Sequence, residues 1–291
     1  MKIARILLIA HIGALAFGLI GLLYVIPNVA QFATDPRAMQ VYTLGLQYAG
    51  STHIVLGAAA MLAYGVSALG WRRSGLFFAF AVPYSLLSEL IGTGTGWPFG
   101  NYAYTSYLGY KVLDHVPFSI PLSWFYVGFA SYILGSVLVE KAGWQPRALV
   151  SILAGVWLLT VWDLVLDPAM AHHSMGIRFW EWGETGPYFG MPIKNFVGWS
   201  LTGAVFMALS RWAWNADLDA DAPDLNLWFP YAVYVANTVF AMALAGRAEL
   251  WPALLLALLL GIVPATLALR RSRSLRPTPA KEQVWQPAAS P

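Results

Sequence analysis

Asp163 and Asp167 lie four residues apart in the run Val161-Trp162-Asp163-Leu164-Val165-Leu166-Asp167-Pro168. On a helix that spacing stacks both carboxyls on one face, one turn apart. The surrounding stretch, residues 148–166, is apolar and long enough to cross a bilayer. Ionisable groups at membrane depth are costly, so the pair marks either a functional site or a structural pair hydrogen-bonded to other helices. For Asp167-Pro168 there is also the reading that it simply marks the helix end. Two neighbouring carboxyls in apolar surroundings do not both ionise readily, which leaves one acid beside one carboxylate, an arrangement suited to acid–base work.

Other groups share that depth. Glu89, in Ser88-Glu89-Leu90-Ile91-Gly92, ends an earlier apolar stretch, and Lys194 with Asn195 opens a later one. Glu89 reads as a partner in a common site or as an interfacial charge snorkelling outward. Lys194 reads as a counter-charge to the aspartates and Asn195 as an amide donor. His53 sits mid-span in Ser51-Thr52-His53-Ile54, either a satisfied core histidine or a contact for a ligand. His172 and His173 are adjacent in a loop, are expected to point apart, and have no third ligand at helical spacing, so no metal site is expected. Gly92-Thr93-Gly94-Thr95-Gly96 lacks the Gly-Lys-Ser/Thr ending of a phosphate loop. With no cysteine in the chain, disulfides, thiolate metal sites and a cysteine nucleophile are excluded.

The elements that must position these groups are membrane helices. Hydrophobic residues make up 58% of the 291 and charged residues only 11%, against about a quarter charged in soluble domains. Apolar stretches at 6–26, 44–69, 76–91, 120–139, 148–166, 192–212, 228–245 and 250–269 predict an all-α, polytopic bundle of about eight transmembrane helices. The first stretch is longer than a signal h-region and reads as an uncleaved span. With alternating spans, twelve of the 17 Lys and Arg residues fall on the side of Lys2 and Arg5, which makes that side cytoplasmic and places both termini there. The expected organisation is one transmembrane domain, 1–269, and a basic, Pro/Ala-rich disordered tail, 270–291. The net charge of +3 points to the anionic surface of a lipid bilayer rather than to nucleic acid.

Two connections on the opposite, outer side stand out. Residues 92–119 are dense in Gly, Trp and Tyr, and residues 169–191 carry both loop histidines, Glu181 and Glu184. The inner connection 215–227, with four aspartates, reads as solvated, since it lacks the pattern of a calcium loop. Thr95-Gly96-Trp97-Pro98-Phe99-Gly100 resembles Thr185-Gly186-Pro187-Tyr188-Phe189-Gly190, and Pro121–Phe125 resembles Pro192–Phe196. This is either a parallel internal repeat or the chance likeness of aromatic, Gly-rich loops. Trp97, Phe99, Tyr102, Tyr104 and Tyr107 crowd one loop, and Phe179, Trp180, Trp182, Tyr188 and Phe189 crowd the other. Some of these belong to an interfacial belt. Aromatic faces beside a buried acid also suit a flat polyene and a passing carbocation.

Ser88–Tyr104 (SELIGTGTGWPFGNYAY), Val161–Met170 (VWDLVLDPAM) and Tyr188–Gly203 (YFGMPIKNFVGWSLTG) resemble, in order, the signatures of the bacterial and archaeal carotenoid biosynthesis membrane proteins, which include the carotenoid 1',2'-hydratases and bisanhydrobacterioruberin hydratases. The resemblance covers most of 88–203. It implies hydration of the acyclic end group of a carotenoid such as lycopene or gamma-carotene, in the cell inner membrane and without cofactor or metal. A membrane-dissolved carotenoid would be the substrate and other pathway enzymes possible partners. Asp163, the deeper acid, is the expected proton donor, with Asp167 and Glu89 orienting water or stabilising the cation. His53, Trp97, Phe99, Tyr102, Trp162, Tyr188, Phe189, Lys194, Asn195 and Trp199 are the expected substrate contacts. A prenyltransferase holding magnesium diphosphate on Asp163-x-x-x-Asp167 and a proton-coupled transporter are the rival readings.

Overall fold

The computed structural model describes residues 1–142, 147–214 and 225–273. The architecture is a bundle of long helices with two small two-stranded ribbons at one end. In chain order it runs α1 (Lys2–Ile20), α2 (Pro36–Leu44), α3 (Gly50–Leu69), α4 (Trp71–Thr95), β1 (Tyr102–Tyr104), β2 (Lys111–Val112), β3 (Val116–Pro117), α5 (Ser119–Ala142), α6 (Arg147–Met170), β4 (Trp180–Trp182), α7 (Lys194–Trp214), α8 (Trp228–Arg247), α9 (Trp251–Leu256) and α10 (Val263–Arg273). Single π-helical turns prolong α1 (Gly21–Val25), fuse α2 to α3 (Gly45–Ala49) and fuse α9 to α10 (Ala257–Ile262).

Seven helical segments among the described residues are long and apolar enough to cross a membrane. The eighth expected span is α7. It is a full 21-residue helix packed between α4 and α6, but it falls short on hydropathy because Lys194, Asn195, Arg211 and its hydroxyl and indole residues dilute the aliphatic ones. Residues 270–273 belong to α10 rather than to a tail, and the rest of the expected tail, 274–291, lies outside the described residues. So does most of the acidic connection, residues 215–224.

Helix α5 is the most enclosed span and packs on α3, α4, α6, α8 and α10. Small residues allow the closest approach. A Cβ on Gly135 of α5 would sit 2.6 Å from the backbone nitrogen of Gly155 on α6, so the two backbones touch as membrane helices do where side chains are absent. Without a hydrophobic force between helices in lipid, polar pairs also fix neighbours. Ser88 and Thr202 join α4 to α7 at 2.8 Å. Buried His11 donates from Nδ1 to the His53 carbonyl at 2.7 Å and accepts at Nε2 from Asn237 at 3.0 Å. The Asn237 Oδ1 in turn accepts from the Tyr126 hydroxyl at 2.7 Å. That chain ties α1, α3, α5 and α8 together.

The ends of α4 and α6 and the starts of α5 and α7 come together at one end of the bundle. There β1 pairs antiparallel with β4, Tyr102 opposite Trp182 and Tyr104 opposite Trp180, so the two unusual loops form a single cap. Phe99 wedges the cap between α4 and α7. A Cβ on Gly92 would lie 2.6 Å from its ring, and Gly198 on α7 meets the same ring.

Candidate functional site

Beneath this cap lie three buried carboxyls. Glu89, on the penultimate turn of α4, accepts three hydrogen bonds. The Trp124 indole of α5 donates to Oε1 at 2.9 Å, and Tyr104 donates to Oε2 at 3.0 Å, where the Tyr102 hydroxyl also donates. Strand alternation puts Tyr102 and Tyr104 on one face of β1, which is why two residues of a short strand reach one carboxyl. Burial first, and then the Glu89 charge, pushes both phenols well above their ordinary range, so they remain protonated donors.

Asp163 and Asp167 share one donor. The Asn195 side-chain nitrogen, on the first turn of α7, lies 2.9 Å from Asp163 Oδ2 and 2.7 Å from Asp167 Oδ2. Both carboxyls thus crowd one amide in a buried site, and like charges that close do not both ionise, which leaves a proton on the pair. Asp163 Oδ1 is buried with no partner among the described residues.

The helix does not end at Asp167-Pro168; it continues to Met170 with Pro168 inside it. Proline lacks the N–H that would bond the carbonyl four residues back. That carbonyl, Leu164, accepts from the Tyr188 hydroxyl at 3.0 Å. The turn carrying both aspartates is therefore completed by a side chain from the second loop. Burial pushes the Tyr188 phenol up to about 12, so it too stays a donor.

A chamber of about 50 Å³ opens onto Glu89 and Asp167, with Trp124, Trp162, Trp180 and Trp199 in its wall. The Trp124 and Trp199 rings stack at 3.9 Å between centroids, and Trp162 meets Trp199 edge-on at 5.8 Å. A smaller recess of about 20 Å³ continues past Asp167 to Phe99, Tyr102, Trp182 and Asn195. Asp163 lines neither space. Asp163, the proton donor expected from its depth, is thus set back from both spaces. One turn deeper on α6 is behind the chamber wall, and Asp167 is the member that faces it.

The other expected contacts divide. Phe99, Tyr102, Trp162, Asn195 and Trp199 converge on the acids, and His53 lines the chamber on the side away from the cap. Tyr188 acts on the α6 backbone instead. Trp97 is 65% exposed and Phe189 39% exposed, at turns that point their rings out of the cap. Lys194 is not a counter-charge to the aspartates. Its ammonium pairs at 2.8 Å with Glu184, which also accepts from the Asn101 backbone N–H at 2.8 Å. These contacts, led by Lys194, hold the Glu184 carboxyl below its usual range. The His172 and His173 rings lie together, 4.2 Å between centroids, rather than apart, and neither borders the chamber.

Sequence reasoning missed Trp124, Tyr104 and Trp180 as site residues. Tyr104 was signalled by its two-residue offset from Tyr102, and Trp124 by its place in the Pro121–Phe125 block. For Trp180 only the strand pairing reveals the position.

Fold and site together define a multi-pass membrane helix bundle with a capped, indole-lined acid cluster at one end. The chain belongs to the carotenoid biosynthesis protein family, which matches residues 49–264. It is also 32% identical over 200 residues to the bisanhydrobacterioruberin hydratase of Haloarcula japonica. That match covers 67% of this chain and 62% of the relative, so the chain spans less than two thirds of that relative's length. No solved structure matches it.

Proposed function

We propose that the protein is a carotenoid hydratase of the inner membrane, with both termini cytoplasmic, adding water across the terminal double bond of an acyclic end group of the lycopene or gamma-carotene type. The observation that carries this reading is the buried aspartate pair on one amide donor, opening through Asp167 onto a chamber walled by indoles. Protonating the less substituted alkene carbon requires a positioned acid and produces a tertiary cation. Asp167 gives its proton to that carbon and becomes a carboxylate. Water then bonds to the cationic carbon and returns a proton to the aspartate pair, so the acid is regenerated and the net change is one added water. Indole faces stabilise the cation by cation–π attraction and keep bulk water away. Glu89, held by three donors, supplies a fixed negative charge where positive charge develops. Asp163 and Asn195 orient Asp167 and hold the shared proton.

The relative's name supports the same reaction class. The prenyltransferase alternative has less behind it, since Lys194, the cation it would enlist for a diphosphate, is drawn outward to Glu184. Expression in a lycopene-producing host, with mass analysis of the pigments, tests the proposal. The expected result is a product heavier by one water per reacted end. Unchanged lycopene, with the protein present in the membrane, would overturn it.

A further inference from the structure

A cavity of about 430 Å³, several times the volume of the acid chamber, forms a groove between the first two membrane segments. One wall is the end of α1 with its π turn, and the other is α2 with the π turn that fuses it to α3. Its lining is apolar apart from Asp35 and Arg37 near the loop end, the Tyr42 and Tyr107 phenols, and His53 at the inner end. The volume lies in the range of about 300–1,000 Å³ typical of small-molecule sites. Glycines keep the walls apart. A Cβ on Gly21 would meet nothing within 4 Å, and one on Gly45 would touch only the Phe17 ring, at 3.8 Å.

The groove and the acid chamber share three wall residues, His53, Met170 and Phe240. His53 donates from Nδ1 to the Ala49 carbonyl at 3.2 Å. Its Nε2 is left as an acceptor at this neck, with no hydrogen-bond partner among the described residues. The chamber's 50 Å³ amounts to roughly three to five water-sized positions, each needing about 10–15 Å³. That matches a branched end group and excludes a polyene.

We infer that the α1–α2 groove is the binding site for the long apolar isoprenoid chain of the substrate, threaded so that its end group passes the His53–Met170–Phe240 neck into the acid chamber. The inference rests on the hydratase reading for the identity of the chain. The wall shared by the two cavities, the largely apolar lining and the size mismatch carry the placement. Entry is lateral, from the bilayer between α1 and α2, so the polyene never crosses water.

Gly21→Phe fills the groove at a position with open space and leaves the acids untouched. Full-length protein in liposomes is supplied with lycopene or with a short acyclic monoterpene bearing the same isopropylidene end. Pigment retained by the purified protein is read by visible absorption. The expected result is a loss of lycopene retention and of lycopene hydration of at least about tenfold, the scale of a lost apolar pocket contact, with monoterpene hydration nearly unchanged. Unchanged lycopene retention and hydration would overturn the inference and leave the groove to a lipid acyl chain. Equal loss for both substrates with unchanged thermal stability would overturn it too. If Gly21→Phe does not fold, Gly45→Leu fills the same groove from the opposite wall and is read the same way. Failure of the hydratase reading is distinct: wild-type protein would then hydrate neither compound, while the retention comparison would still report on the groove.

Discussion

Glu89 and Asp167, the chamber-facing member of the aspartate pair, border the same small space, but the surroundings of Glu89 and of the pair differ in one decisive respect. Glu89 has three donors for two oxygens, from two elements other than its own helix. The aspartates have one amide for two carboxyls, and one oxygen of Asp163 goes without. Three donors to one carboxyl favour its charged form. A buried pair that shares one donor is disfavoured as two anions and so keeps a proton. The difference separates two tasks: electrostatic support on the α4 side and a transferable proton on the α6 side.

That division can be broken at the aspartates first. Asp167→Asn removes the carboxyl that faces the chamber and is expected to lower hydration by about 10²–10⁴-fold, the usual reach of general acid catalysis. Asp163→Asn leaves Asp167 with an amide neighbour and is expected to cost less, since a partial acid remains. Pigment conversion in reconstituted membranes reads both. If Asp163→Asn were the more damaging by a wide margin, the roles assigned from chamber access would be reversed.

On the Glu89 side the expected losses are smaller and fall partly on stability. Tyr104→Phe removes one donor to a buried carboxylate, a bond worth about 1.5–3 kcal/mol. The expected outcome is lower thermal stability and a moderately reduced kcat, with the remaining Tyr102 and Trp124 donors still holding Glu89. A kcat loss as large as that of Asp167→Asn would mean that Glu89 and its tyrosines form the proton-delivering unit.

The smallest effect concerns how the aspartate turn is held. Tyr188→Phe strands the Leu164 carbonyl that Pro168 leaves unbonded, at a cost of about 1 kcal/mol. In a Pro168→Ala background the restored N–H can bond that carbonyl, so the same tyrosine change should cost less. A double-mutant cycle by thermal unfolding measures the difference, and strict additivity would rule out the capping role.

Much of this was readable in the chain. The apolar stretches set the helices to within a few residues because each must satisfy its own backbone in lipid, except that α2 starts at Pro36, well before the stretch from 44. The four-residue spacing placed the aspartates on one face. Glu89 and Asn195 were legible as groups at the same depth. The Lys194 counter-charge was a misreading of the same kind of clue, because depth along a helix says nothing about azimuth, and Glu184 lies on the side to which Lys194 points. Trp97 looked like a site residue by sitting in the aromatic loop, yet the turn that buries Phe99 turns Trp97 outward.

The sequence by itself determined an all-helical membrane bundle, a set of costly acids near one end of it, and the aromatic loops that close over them. Hydrophobic length and helical periodicity are local properties, so they survive in the order of residues. Only the tertiary structure decided that Tyr102, Tyr104 and Trp124 surround Glu89, that Asp167 rather than Asp163 meets the chamber, and that Tyr188 repairs the turn Pro168 opens. Each of these depends on which donor from a distant segment reaches which acceptor, and that is fixed by helix rotation and by the pairing of β1 with β4.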